Sequence, residues 1–194
     1  MQQQSLSDQE LVNQYLNGSE AGLEVLIKRH KQKIYSSIFF LVRNQELAED
    51  IFQDTFIKVI NTLRAGNYNE EGKFLPWVIR IGHNLVIDHF RKEKKMPKLR
   101  ETEEFSIFDY MSNGEQNTQQ KIVKDQIHED VRKLVEELPF EQKEVLIMRH
   151  YADMSFQEIA EATNVSINTS LGRMRYALIN LRKLIEERKI NLYA

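Results

Sequence analysis

Apolar residues recur at helical spacing from Ser7 to Lys95 and again from about Lys121 to Leu192. Ser7 or Asp8 can cap a first helix that carries Leu11, Val12, Tyr15 and Leu16 on one side. Gly18 and Ser19 break it. A second helix carries Leu23, Leu26, Ile27, Ile34, Ile38 and Leu41. Asn44 breaks or recaps the chain, and a third helix is predicted from about Glu46 to Leu63. The polar stretch "RAGNYNEEGK", Arg64 to Lys73, reads as a loop from its Gly and Asn content. A fourth helix begins near Pro76, a first-turn proline, and runs into "FRKEKK".

The pattern changes after Lys95. Residues 101–120 hold five acidic residues and no Lys or Arg, so 96–120 is expected to be a linker. Phe105, Ile107, Phe108 and Tyr110 are more apolar than an inert tether requires. Beyond it, breaks at Leu138-Pro139, Asp153–Ser155 and Asn164-Val165 divide the chain into a small four-helix domain. The expected architecture is all-α, with two helical domains, 1–95 and 121–194, joined by the acidic linker.

The last break falls inside "MSFQEIAEATNVSINTSLGRMRYALINLRKL", Met154 to Leu184. Ser155 and Glu158 have the spacing of a capping box. Phe156, Ile159 and Ala160 face inward, "TNVS" forms a tight turn, Val165 plugs it, and Ser166 caps the next helix. That spacing suits a helix-turn-helix. At 100° per residue, Ser170, Met174, Ala177, Leu178 and Leu181 share an inward face. Asn168, Thr169, Gly172, Arg175, Tyr176 and Lys183 lie opposite, with Arg173 beside them. Arg and Thr suit phosphates, Asn and Arg suit base edges, and Gly172 leaves room for a close backbone approach. An ordinary amphipathic helix pair with a solvated basic face is the plainer alternative.

Two further stretches carry chemistry. In "ELAEDIFQDTFIKVI", Ala48, Ile51, Phe52, Thr55, Phe56 and Val59 face inward. Glu46, Glu49, Asp50, Gln53 and Asp54 form an acidic outer face, with Ile57 and Ile60 among them. Acidic groups mixed with apolar ones suit a protein partner with a basic surface; a solvated face with two incidental isoleucines is the alternative. In "FLPWVIRIGHNLVIDHFRKEKK", Val78, Ile79, Gly82, Leu85, Val86, His89 and Phe90 face one way, and Trp77, Arg80, Asn84, Asp88 and Arg91 the other. Arg91, Lys92, Lys94 and Lys95 end the helix. Cations neutralise phosphates, amides read bases, and an aromatic can stack on an unpaired base. Core packing for Trp77 and a solvated, dipole-complementing end for the cations are the alternatives.

Composition narrows the function. Of 194 residues, 41% are hydrophobic and 29% charged, enough for packed cores under solvated helix faces. With no cysteine, disulfides, Cys-bound zinc and thiol catalysis are excluded. There is no P-loop, dinucleotide fingerprint, zinc-protease motif or calcium loop. His83 and His89 point to different sides of one helix, so neither a metal site nor a cofactor is expected. "MQQQSLSDQELV" lacks the features of a signal peptide, no apolar stretch can span a bilayer, and the expected location is the cytoplasm. The net charge of −2 argues against a simple DNA binder, unless opposite charges are segregated along the chain.

Together the three stretches, in this order and around a linker, resemble bacterial sigma factors of the extracytoplasmic-function group. "ELAEDIFQDTFIKVI" is similar to the family's helix that grips the polymerase clamp. The resemblance places Glu49, Asp50, Gln53 and Phe56 there, with Asp50 and Gln53 in contact and Phe56 largely structural. "FLPWVIRIGHNLVIDHFRKEKK" is similar to the minus-ten helix, with Arg80 and Asn84 in its DNA-facing stripe. The loop with Asn67, Tyr68 and Asn69 matches the segment that captures a flipped base. "LPFEQKEVLIMRHYADMSFQEIAEATNVSINTSLGRMRYAL" is similar to the region that reads the minus-thirty-five element, with Thr169, Arg173 and Arg175 in its reading helix. Leu171 stands where the family often has Lys or Arg, and Gly172 where Ser is frequent, which implies a changed upstream sequence, with Arg175 and Tyr176 compensating.

The resemblance implies a non-enzymatic protein that partners core RNA polymerase and promoter DNA, is monomeric when free, and is controlled by an anti-sigma protein. It implies an acidic linker that occupies a polymerase channel until nascent RNA displaces it. It also explains the charge: acidic polymerase-facing and basic DNA-facing surfaces offset each other. A compact free form with masked DNA surfaces would suit such a chain. The rival readings are a stand-alone helix-turn-helix regulator, which predicts DNA binding without polymerase, and a helical interaction module with no DNA role.

Overall fold

The computed structural model describes residues 6–69, 72–93 and 130–190. Those residues form eight helices and no strand. They are α1 (Asp8–Leu16), α2 (Glu20–Val42), α3 (Gln45–Arg64), α4 (Phe74–Glu93), α5 (130–136), α6 (Phe140–Tyr151), α7 (Phe156–Thr163) and α8 (Ile167–Glu187). The linker expected at 96–120 lies outside them, as do Lys94 and Lys95.

Local chemistry sets the helix ends. Ser7 and Glu10 close a reciprocal capping box on α1. Arg43, at φ 53°, turns the chain out of α2 by donating its N–H to the Phe39 carbonyl. Asn44 then accepts from the Leu47 N–H at 2.8 Å and starts α3. α4 begins at Phe74, placing Pro76 in its first turn.

α2, α3 and α4 converge at Gly82. A Cβ there would lie 3.3 Å from both Ile38 Cδ1 and Thr55 Oγ1, so only glycine lets the three helices meet without displacing a neighbour. Leu26, Ile34, Val59, Leu63, Phe74, Val78 and Val86 complete this core. Val145, Ile147, Met148, Met154, Ile159 and Ala162 form its continuation in the C-terminal helices, and the buried cluster is contiguous from Leu11 to Ala162. Met148 shares a small cavity with Ile34, Ile38 and Leu41 of α2 and Gly82 and His83 of α4. The two helical groups therefore pack on each other through α2, α4, α6 and α7.

Some expected faces need correction. Leu16 is 48% exposed at the C-terminal end of α1, where Leu11, Val12 and Tyr15 carry the helix's core face. Ile60 is packed against the core and not on the outer side of α3. Leu178 is 44% exposed. It lines an open groove of about 650 Å³ with Met174, Leu181, Leu146, Phe40 and Tyr151, bounded by α8 on one side and by α2, α5 and α6 on the other.

Candidate polymerase and promoter surfaces

On α3 the inward stripe is Ala48, Ile51, Thr55, Phe56, Val59 and Leu63, all buried. Thr55 is satisfied internally, its hydroxyl donating to the Ile51 carbonyl at 2.7 Å. The opposite face exposes Glu46, Glu49, Asp50, Gln53 and Asp54, with Ile57 at 55% exposure among them. Gln45 donates to Glu49 Oε1 at 2.9 Å across one turn. The carboxylates crowd the N-terminal half of the helix, where they also complement its dipole.

On α4, Arg80, Asn84, Asp88 and Arg91 are exposed and follow one another at three- and four-residue intervals. Arg91 Nη1 lies 3.6 Å from Asp88 Oδ1, an exposed and weak pair. Lys92 is exposed beside them. In the preceding loop Asn67 and Asn69 are exposed, while Tyr68 is half-buried. Its ring lies 4.2 Å from that of Trp77, tilted by 41°, and meets Phe74 edge-on. Trp77 is likewise half-buried and packed against the core, so it braces the loop from beneath.

The helix-turn-helix is built as the capping residues predict. Ser155 and Glu158 form the second capping box. Asn164, at φ 56°, closes α7, and Ser166 accepts the Thr169 N–H at 3.1 Å to start α8. Asn168, Thr169, Arg175 and Tyr176 are exposed, Tyr176 at 61%. A Cβ on Gly172 would meet nothing within 4 Å. Arg173 differs from its neighbours: it is half-buried, and its Nη1 donates to Glu144 Oε1 at 2.7 Å.

Glu144, on α6, is 4% exposed. Its other oxygen, Oε2, accepts from His83 Nε2 of α4 at 2.9 Å. A carboxylate only accepts, which fixes the direction of that bond. His83 Nδ1, also buried, has no hydrogen-bond partner among the described residues. Sequence reasoning separated His83 from His89 but missed its burial. The signal was present: His83 stands four residues after Ile79 and three before Val86, both on the buried stripe of α4.

The described residues are all-α and close on a capped helix-turn-helix, an architecture used by a large class of helical DNA-binding proteins. Residues 26–96 match the family model of sigma-70 region 2, and residues 128–173 match that of sigma-70 region 4. The RNA polymerase sigma factor SigV of Bacillus subtilis is 31% identical over 164 residues, covering 84% of this chain and 91% of that one. The RNA polymerase sigma-H factor of Pseudomonas aeruginosa is 25% identical over 171 residues, covering 86% and 88%. Among solved structures, CnrH in complex with the cytosolic domain of CnrY superposes with a TM-score of 0.66 at 19% identity, over 93% of this chain and 97% of that one. The sigma factor RpoE in complex with the anti-sigma factor NepR, from Bartonella quintana, gives 0.68 at 18% identity, over 84% and 96%. The chain belongs to the sigma-70 family, in its extracytoplasmic-function group. It is an alternative sigma factor, which binds RNA polymerase and directs transcription initiation at promoters. Among the described residues no helix is long and apolar enough to cross a membrane.

Proposed function

We propose that the two halves of the chain divide the promoter between them, residues 1–95 taking the polymerase and the minus-ten element, residues 121–194 the minus-thirty-five element, and 96–120 joining them. The carrying observation is the segregation of exposed faces: carboxylates on α3, amides and guanidinium groups on α4 and α8. Glu46, Glu49, Asp50, Gln53, Asp54 and Ile57 dock on a basic polymerase surface. Arg80, Asn84, Arg91 and Lys92, with Lys94 and Lys95, take the minus-ten duplex edge. Asn67, Tyr68 and Asn69 hold an extruded base, which lowers the barrier to melting by trapping unpaired DNA. Asn168, Thr169, Gly172, Arg173, Arg175 and Tyr176 face the upstream element, Leu171 and Gly172 altering the sequence it accepts.

Bond-making chemistry belongs to the polymerase in this reading, and the chain acts in the cytoplasm as a monomer until it meets core enzyme. An anti-sigma protein is the corresponding negative partner; the fold shared with a sigma factor solved together with NepR supports it.

Single-round transcription with purified core polymerase on genomic promoter fragments tests the assignment. Initiation that depends on this protein and disappears with Asp50→Lys is expected. Initiation that persists with Asp50→Lys would remove α3 from the polymerase contact. Tight sequence-specific DNA binding without polymerase, and no initiation, would favour a stand-alone regulator.

A further inference from the structure

We propose that the Glu144 carboxylate is an interdomain clasp, holding the minus-ten helix α4 to the minus-thirty-five helix α8, and that the chain must release it before both promoter elements can be engaged. The inference rests on the reading of α4 and α8 as promoter-facing helices.

The geometry makes the closed form incompatible with a whole promoter. His83 of α4 lies 2.9 Å from one oxygen of Glu144 and Arg173 of α8 lies 2.7 Å from the other. One carboxylate thus spans the gap between the two helices. The two promoter elements are centred about 25 base pairs apart by their names, which at about 3.4 Å per pair is roughly 85 Å of duplex. A protein whose two reading helices share one carboxylate cannot lie on both. In addition, Arg173 spends its guanidinium on Glu144, away from any phosphate or base.

Other contacts join the halves but suit a clasp less well. Lys33 and Asp153 pair at 2.7 Å, with their side chains 42% and 70% exposed, so water competes for both. Arg43 pairs with Glu136 at a half-exposed site. Phe90 meets Phe140 edge-on at 5.9 Å, an apolar contact that tolerates sliding. Of these contacts, the Glu144 group combines near-complete burial, a charge and two directional partners on separate helices, one in each half of the chain. Such a group fixes register, because any shift strands it without a partner. It also roughly breaks even against hydration, because opening returns both His83 and Glu144 to water. A clasp of this kind specifies the closed form without locking it. Of Glu144's two bonds, the one to His83 crosses between the halves, so release leaves Glu144 and Arg173 together within the C-terminal half until DNA competes for the guanidinium.

The test uses the full chain, which has no native cysteine to compete for labels. Dyes on Asn61→Cys and Glu186→Cys, both at exposed positions, report the separation of the halves by single-molecule energy transfer. The unmodified clasp should give one dominant closed population. Glu144→Leu and, separately, His83→Leu should each raise the open-to-closed ratio by about tenfold to a hundredfold, because each leaves a buried partner in the closed form without its hydrogen bond. Circular dichroism confirms that each variant keeps its helices, and His83→Leu leaves the Glu144–Arg173 bond in place if Glu144→Leu does not fold. An unchanged distribution in a folded variant overturns the clasp, as does a parent chain already open. Adding core polymerase and promoter DNA should move the parent chain to the open population. Opening in the variants without any polymerase-dependent initiation by the parent would leave the clasp standing and remove the promoter reading instead.

Discussion

Phe40 of α2 stacks on Tyr151 of α6, ring centroids 4.3 Å apart and planes 25° from parallel. The pair joins the helical groups that the sequence divides, and burial pushes the Tyr151 hydroxyl above its ordinary value. Tyr151→Ala should destabilise the free chain by about 2 kcal/mol, and Tyr151→Phe by much less, because the stack survives. Urea denaturation followed by circular dichroism measures both; equal losses would mean that the hydroxyl and not the ring does the holding.

The N-terminal helix is tied down by a pH-sensitive contact. His30 is 9% exposed and 2.7 Å from Asp8. Burial pushes its imidazole below the ordinary 6.5, and Asp8 opposes only part of that shift. The fold therefore favours neutral His30. Its contribution is present above the unfolded value and is lost as pH falls through the lower folded one. Melting temperatures measured from about pH 7 to about pH 5 should fall more steeply for the parent than for His30→Gln. Parallel slopes would contradict the linkage.

The helix-turn-helix depends on its caps. Ser155→Ala removes an acceptor for the Glu158 N–H and should cost about 1 kcal/mol of stability. Thermal melting reports it directly. Ser166→Ala removes the acceptor for the Thr169 N–H, and should in addition weaken promoter binding by loosening the first turn of α8.

Base readers and phosphate holders separate by salt. Arg175→Ala should cost about 1–3 kcal/mol of promoter affinity and relax preference at one base pair of the upstream element. Lys92→Ala should weaken binding of the polymerase complex to all sequences alike and reduce the salt slope by about one. Binding isotherms over a range of salt concentrations, on matched and mismatched promoters, distinguish the two. A sequence-independent loss for Arg175→Ala would move it to the phosphate class.

Where information was local, the sequence was readable. Ser7, Asn44, Ser155 and Ser166 start helices through bonds to residues three positions away. The inward stripes of α3 and α4 follow from periodicity because each is one helix on one core. Leu16, Ile60 and Leu178 escaped because a wheel gives direction but not where the neighbouring helix ends. The bond from His83 to Glu144 spans 61 residues, and neither partner's own helix reveals the other. A buried polar group on an apolar stripe was the available sign, and it indicates a partner without saying which.

The contiguous core also has a schedule. Lys33 and Asp153, which meet across the two groups of helices, are 120 residues apart in the chain. At roughly 5–20 residues per second, a ribosome takes about 6–24 s to make that stretch. For that interval Phe40 emerges on α2 before Tyr151 exists to stack on it. Until α6 arrives, that edge of α2 lacks the aromatic cover it has in the finished fold.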